Sequence, residues 1–222
     1  MIDLTGLSPA ERGKHLAFPE GDVGLAVAEV LNTVNLVEYQ NILALMALAP
    51  SARVLEIGFG NGHLVPEVLR QAPDIRFAGI DISPTMVDEA LKFNAQVVAN
   101  GQASFVLASA ENMPFGDSSF DYVFAIGVKH FWAEPAPSLA EIRRVLRPGG
   151  LCIMSSIHPT WAPSLPFARQ EFGFHFRDNE AWERLHAKAN FASAAATTVE
   201  FPIKNADGSE AKGYGLRVIA TA

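Results

Sequence analysis

The chain has 222 residues, 49 % of them apolar, with 17 Lys and Arg against 24 Asp and Glu, for a formal net charge of −7. That is enough apolar chain for one sizeable core, and the acidic balance, with no clustered basic footprint, argues against nucleic acid as a partner. The single cysteine, Cys152, excludes an internal disulfide framework and a multi-cysteine zinc site.

No apolar run approaches the roughly 18 to 20 residues that cross a bilayer. The stretch Met1 to Thr5 lacks the basic and apolar regions of a secretory leader. The expectation is a cytoplasmic protein without membrane insertion, a monomer or a homodimer.

After a loose start to about Pro19, residues 22–48 carry Val23, Val27, Val30, Leu31, Val34, Ile42, Leu45 and Met46 near helical spacing, which predicts one or two helices. Ala49-Pro50-Ser51 breaks that pattern, and Arg53 to Ile57 is a short β-prone run ending in Gly58-Phe59-Gly60-Asn61-Gly62. A helix follows over 62–71, with Pro66 early, where a missing N–H costs little. The unit then recurs: a strand over 75–80 closed by Asp81, and a helix capped by Ser83 with Pro84 in its first turn. Strands are predicted over 103–107, 120–126 and 151–157, and a helix over 138–146 that Arg147-Pro148-Gly149-Gly150 stops. Strands alternating with helices require right-handed crossovers, hence an α/β fold with an open, mostly parallel sheet and helices on both faces.

Residues 158–177 break the alternation: Pro159, Trp161, Pro163, Pro166, Phe167, Phe172, Phe174 and Phe176 follow no period. Such a segment is a lid or binding loop, or else a helix packed on the core. A helix over 179–191 and strands over 197–203 and 216–221, joined by a turn at Asp207-Gly208, predict a terminal antiparallel hairpin. The chain divides into an N-terminal helical cap (1–50), a core (51–157) and a C-terminal loop, helix and hairpin (158–222), all in one domain.

Open parallel sheets bind ligands beyond the carboxyl ends of their strands, and the chemistry-bearing residues fall there. Three alternate glycines at Gly58, Gly60 and Gly62 strip Cβ atoms from a strand-to-helix turn, so a ligand can lie against bare backbone. A dinucleotide fingerprint needs its third glycine at position 63, where His63 stands, and has no use for the acid at Glu56. That carboxylate suits a ligand carrying an amino group. Asp81, 21 positions past Gly60, can accept both hydroxyls of a ribose or cap the following helix.

Five segments together resemble the class I S-adenosylmethionine-dependent methyltransferases: Val54 to Gly62, Gly79 to Ser83, Ala108 to Phe115, Phe120 to Val123, and Arg144 to Gly150. The resemblance implies a Rossmann-like seven-stranded sheet with an antiparallel last strand. It also implies S-adenosyl-L-methionine as cofactor: its methionine moiety along Gly58, Gly60 and Gly62, ordered by Glu56, and its ribose on Asp81. Ile82, Ala110 and Glu111 would flank the adenine, with Ile126 and Gly127 near the sulfonium. At Ser109 relatives commonly carry an acid, and a serine accepts the adenine amino group less strongly.

Methyl transfer needs alignment and desolvation, plus a base only where the nucleophile must lose a proton. His130, just past the fourth strand, is the first candidate base or else a packing histidine; His158, after the fifth, is the second. Phe131, Trp132 and Trp161 are candidate walls of an apolar substrate pocket, completed by the N-terminal helix and residues 158–177, and Tyr39 a candidate to reach over the cofactor. No metal is expected, because no ligand cluster has the right spacing. Cys152 reads as inert core. The reading is a transferase acting on a small-molecule methyl acceptor. The alternatives are a protein that binds S-adenosylmethionine without transferring its methyl, and a nicotinamide-dependent oxidoreductase, which Glu56 and His63 disfavour.

Overall fold

Alternation of side chains along the strands decides the layering. In the computed structural model, which describes residues 4–204 and 209–222, seven strands make one sheet: β1 (Arg53–Ile57), β2 (Arg76–Asp81), β3 (Ala103–Leu107), β4 (Phe120–Ile126), β5 (Leu146–Ile157), β6 (Ser193–Lys204) and β7 (Glu210–Thr221). Their order is β3-β2-β1-β4-β5-β7-β6. Neighbours among β1 to β5 pair in parallel, and β7 runs antiparallel to both β5 and β6. This is the mostly parallel, Rossmann-like sheet with an antiparallel last strand. The order reverses between β1 and β4, which leaves a crevice at their carboxyl ends.

The described residues also form seven α-helices: α1 (Pro9–Ala17), α2 (Gly21–Met46), α3 (Val65–Leu69), α4 (Pro84–Phe93), α5 (Ala95–Ala99), α6 (Pro135–Val145) and α7 (Asn179–Lys188). On one face Leu55, Ile57, Val123, Ala125, Cys152 and Met154 pack with Leu139 and Ile142 of α6 and Trp182 of α7. On the other, Val54, Phe77, Phe124 and Ile153 pack with Ile42, Leu43 and Met46 of α2 and Ala90 of α4. Burial of both faces is what a parallel sheet requires. The two-residue period then puts Glu56 on the face of Val54 and Asp81 on the face of Phe77, both on the α2 side.

Several expectations need correction. The start is not loose: α1 is held by a capping box, in which Glu11 N donates to Ser8 Oγ and Ser8 N donates to the Glu11 carboxylate. On α2 the expected stripe is buried at Val27, Ile42 and Met46, but Val30 and Val34 are 51 % and 65 % exposed, and Tyr39 and Leu43 are buried in addition. The helix expected over 62–71 shrinks to α3, and the one expected over 179–191 ends at Lys188. Arg147 to Gly150 lie inside β5, at an irregularity in its pairing with β4 between Phe120 and Tyr122. The hairpin strands are longer than expected, 12 residues each, and the turn placed at Asp207-Gly208 lies outside the described residues. Residues 158–177 hold no α-helix, only 3-10 turns at Ala162–Ser164 and Gln170–Phe172. That segment buries Ala162, Ala168 and Phe174 in a small cluster with Leu16 of α1 and Phe131.

Candidate active site

A cleft of about 300 Å³ opens at the carboxyl ends of β1, β2 and β4, roofed by α2. Glu56, Gly58, Gly60, Asp81, Ile82, Ser109, Ala110, Glu111, Ile126 and Gly127 all line it. Gly62 does not.

The three glycines share a left-handed backbone, with φ of +72°, +61° and +73° at Gly58, Gly60 and Gly62, but serve different ends. A Cβ on Gly58 would collide with Val128, which follows β4, so this glycine lets two loops touch. A Cβ on Gly60 would meet nothing within 4 Å, so bare backbone borders the cleft there. A Cβ on Gly62 would sit 2.7 Å from Ala90 Cβ, and Gly62 O accepts from Asn94 Nδ2 at 3.0 Å. Gly62 thus seats the turn against α4 rather than facing a ligand, which corrects its expected place on the cleft wall.

Asp81 ends β2 with its carboxylate already oriented. Gly60 N donates to Oδ2 at 3.0 Å and Ser83 N donates to Oδ1 at 2.9 Å. Burial raises its pKa to about 6, although these two N–H groups pull it down. Ser83 also caps α4 as expected, accepting from Met86 N at 3.3 Å. Glu56 lies under α2, where Tyr39 Oη donates to its Oε2 at 2.9 Å. Burial raises the Glu56 pKa to about 8; the Tyr39 bond lowers it and the Asp81 charge raises it. Tyr39 lines the cleft, packed edge-on to Phe124 with ring centroids 5.4 Å apart. Ser109 Oγ accepts from Glu111 N at 3.2 Å at the rim.

His63 fastens the roof. Its Nδ1 lies 2.9 Å from Glu29 Oε1 of α2, and Asn61 Nδ2 donates to the same oxygen at 3.1 Å. Among the described residues no group of three or more His, Cys, Asp or Glu is arranged to hold a metal.

Neither candidate base lines the cleft. The 3-10 turn Lys129–Phe131 sends Phe131 and Trp132 to the cleft wall and His130 away from it. His130 stacks on Phe174 with centroids 5.0 Å apart, its Nδ1 is buried without a partner, and burial pushes its pKa down to about 3. It is neutral at any physiological pH. His158 is engaged on both ring nitrogens: Nδ1 accepts from Thr160 N at 3.2 Å, and Nε2 lies 3.1 Å from Thr198 Oγ1. With Nδ1 accepting, the proton sits on Nε2 and faces a hydroxyl, not the cleft. Trp161 also lies off the wall, edge-on to Phe201 at 5.3 Å. Residues 158–177 contribute nothing to the wall; the N-terminal helices do, through Leu16, Ala17, Leu31, Asn32 and Asn35. Of these, Leu31 belongs to the apolar stripe expected over 22–48, whereas Asn32 and Asn35 are polar and stand outside it.

Two further buried groups are structural. Lys129 Nζ donates to Ser156 Oγ at 2.5 Å and to Leu216 O at 3.0 Å, and lies 5.0 Å from the Trp182 ring centroid. Burial lowers its pKa well below the usual lysine range. Cys152 is fully buried, its thiol pushed up to about 12.

Residues 55–154 match a family model described as a methyltransferase domain. The chain is 29 % identical over 120 residues to an uncharacterized methyltransferase of Bacillus subtilis, YdaC, covering 54 % of this chain and 64 % of that protein. It is 32 % identical over 108 residues to the ubiquinone/menaquinone biosynthesis C-methyltransferase UbiE of Geotalea daltonii, covering 48 % and 46 %. The chain therefore spans less than two thirds of the length of these curated relatives. Among solved structures, the fold is shared with the complex of the Haloferax volcanii Trm112 methyltransferase activator and a putative methyltransferase, with TM-score 0.74 and 20 % identity over 90 % of this chain and 95 % of that one.

Proposed function

We propose that this chain, whose residues 55–154 match a methyltransferase-domain model, is a class I S-adenosylmethionine-dependent methyltransferase that binds S-adenosylmethionine in the cleft. There it transfers the methyl group in line to an oxygen, nitrogen or carbon nucleophile of a small molecule. The observation that carries the reading is a pair of buried carboxylates, Glu56 and Asp81, at adjacent strand ends on either side of the bare backbone at Gly60.

The donor set fits the cofactor. Asp81, fixed by Gly60 N and Ser83 N, keeps lone pairs for the two ribose hydroxyls. Glu56, buried and held by Tyr39, would receive the ammonium group, whose charge favours the ionised carboxylate. Ile82 and Ala110 offer apolar surface to the adenine, and Ser109 and Glu111 edge it.

When bound, the sulfonium supplies a methyl carbon already activated by positive charge. The chain aligns the partners: Ile126, Gly127 and Val128 border the sulfonium end, and Phe131 and Trp132 exclude water from the acceptor. Calorimetric titration with S-adenosylhomocysteine and with NADH tests the cofactor: the homocysteine derivative binds and NADH does not, and the reverse overturns the reading. Labelled methyl transfer into a metabolite extract tests the reaction. Label in no acceptor from any extract would leave a protein that binds the cofactor without using it.

A further inference from the structure

The part of the cleft wall that the cofactor assignment leaves over has a chemistry of its own. Ala28, Leu31, Asn32 and Asn35 lie on one stripe of α2, at intervals of three, one and three residues, and all face the cleft. Opposite them stand Val128 and Phe131. Among the described residues Asn32 and Asn35, one turn apart, are the only side-chain amides on this wall apart from Asn61, which is engaged by Glu29. Both are half-buried, and neither side chain bonds to another described residue.

The charge pattern is equally one-sided. Among the described residues no Lys, Arg or His lines the cleft, whereas Glu56, Asp81 and Glu111 do. An acceptor bearing a carboxylate or phosphate would be buried beside three acids with no cation among the described residues to neutralise it. An ammonium acceptor would need a base to free its lone pair. The wall holds no imidazole or lysine, and the carboxylates sit at the cofactor end.

Resting on the cofactor assignment above, we propose that the acceptor is an uncharged, mostly apolar molecule, and that Asn32 and Asn35 hold its polar group. A primary amide presents one acceptor and two N–H donors without charge, which matches a neutral carbonyl, amide or hydroxyl and pays nothing toward an ion. Leu31, Val128 and Phe131 then take up the apolar body.

The test uses the full chain saturated with S-adenosylhomocysteine and one aromatic skeleton in three charge states: 2-naphthamide, 2-naphthoate and 2-naphthylmethylammonium. Calorimetry is expected to show the neutral amide binding about tenfold or more tighter than either ion. Asn32→Leu and Asn35→Leu each weaken the amide by about fivefold while S-adenosylhomocysteine affinity stays within about twofold, which also shows that the variants fold. Asn35→Asp shifts preference toward the ammonium probe. The proposal is overturned if naphthoate or the ammonium binds as tightly as the amide, if no probe binds, or if both leucine variants leave amide affinity unchanged. Failure of S-adenosylhomocysteine to bind the unmodified chain is a different result and sinks the cofactor assignment instead.

Discussion

The molecule buries ionisable groups in two places and treats them in opposite ways. Lys129, behind the β4–α6 turn, donates to Ser156 and Leu216 and faces Trp182, and it does not line the cleft. Glu56 and Asp81, on adjacent strands with Asp81 two residues past the partner of Glu56, are also buried but line a cleft where no Lys, Arg or His stands among the described residues. A buried charge with protein partners on hand is part of the scaffold. A buried acid whose remaining lone pairs face open space has a partner still to come, and its raised pKa measures the solvation it has lost.

That contrast breaks most sharply at Asp81. On the proposed ribose assignment, Asp81→Ala removes two charge-assisted acceptors and is expected to weaken S-adenosylhomocysteine by about 100-fold, measured by calorimetry. The same substitution leaves the melting temperature of the free protein at pH 8 unchanged or higher. The sign follows from a folded pKa of about 6, above the ordinary carboxylate value: the folded state holds the proton longer, so this group's contribution to stability falls as pH rises through that interval. Glu56→Gln keeps the shape and the Tyr39 contact but loses the charge, with an expected weakening of about tenfold. Lys129→Met fills the same space without charge. Stability should change by less than about 1 kcal/mol in denaturant titration, because the desolvation cost of the buried amine offsets the two hydrogen bonds it donates. A loss of cofactor affinity in Lys129→Met would erase the distinction between the two places. His130→Phe is expected to have the smallest effect: its imidazole is neutral and faces Phe174, so the pH profile of methyl transfer between pH 6 and 8 should not move.

The same division separates what the sequence reveals from what it conceals. The strands, the Ser83 cap and the placement of Glu56 and Asp81 at strand ends follow from local periodicity and turn chemistry, which a single sequence carries. The Ser8-x-x-Glu11 capping box was equally present in the sequence, but a weak apolar stripe behind it hid α1. The direction of His130 was not readable, because it is set by Phe174, which lies 44 residues further on and closes over the ring. The three glycines look alike in sequence; only Val128, Ala90 and Asn94, brought by other elements, separate their roles. Asn32 and Asn35 stayed hidden for a related reason. The stripe of α2 that faces the cleft is offset from its most hydrophobic stripe, since Val30 and Val34 are left to solvent.

The most direct test of the account is the pH dependence of S-adenosylhomocysteine binding, followed by calorimetry from pH 5.5 to 8.5 in buffers of different ionisation enthalpy. A ligand that needs both carboxylates ionised must drive off the protons that burial retains at Asp81, up to about pH 6, and at Glu56, up to about pH 8. The account predicts affinity that rises across this range with release of protons on binding at pH 7, and loss of that release in Glu56→Gln. Affinity independent of pH with no proton released, or no binding at any pH, would contradict it.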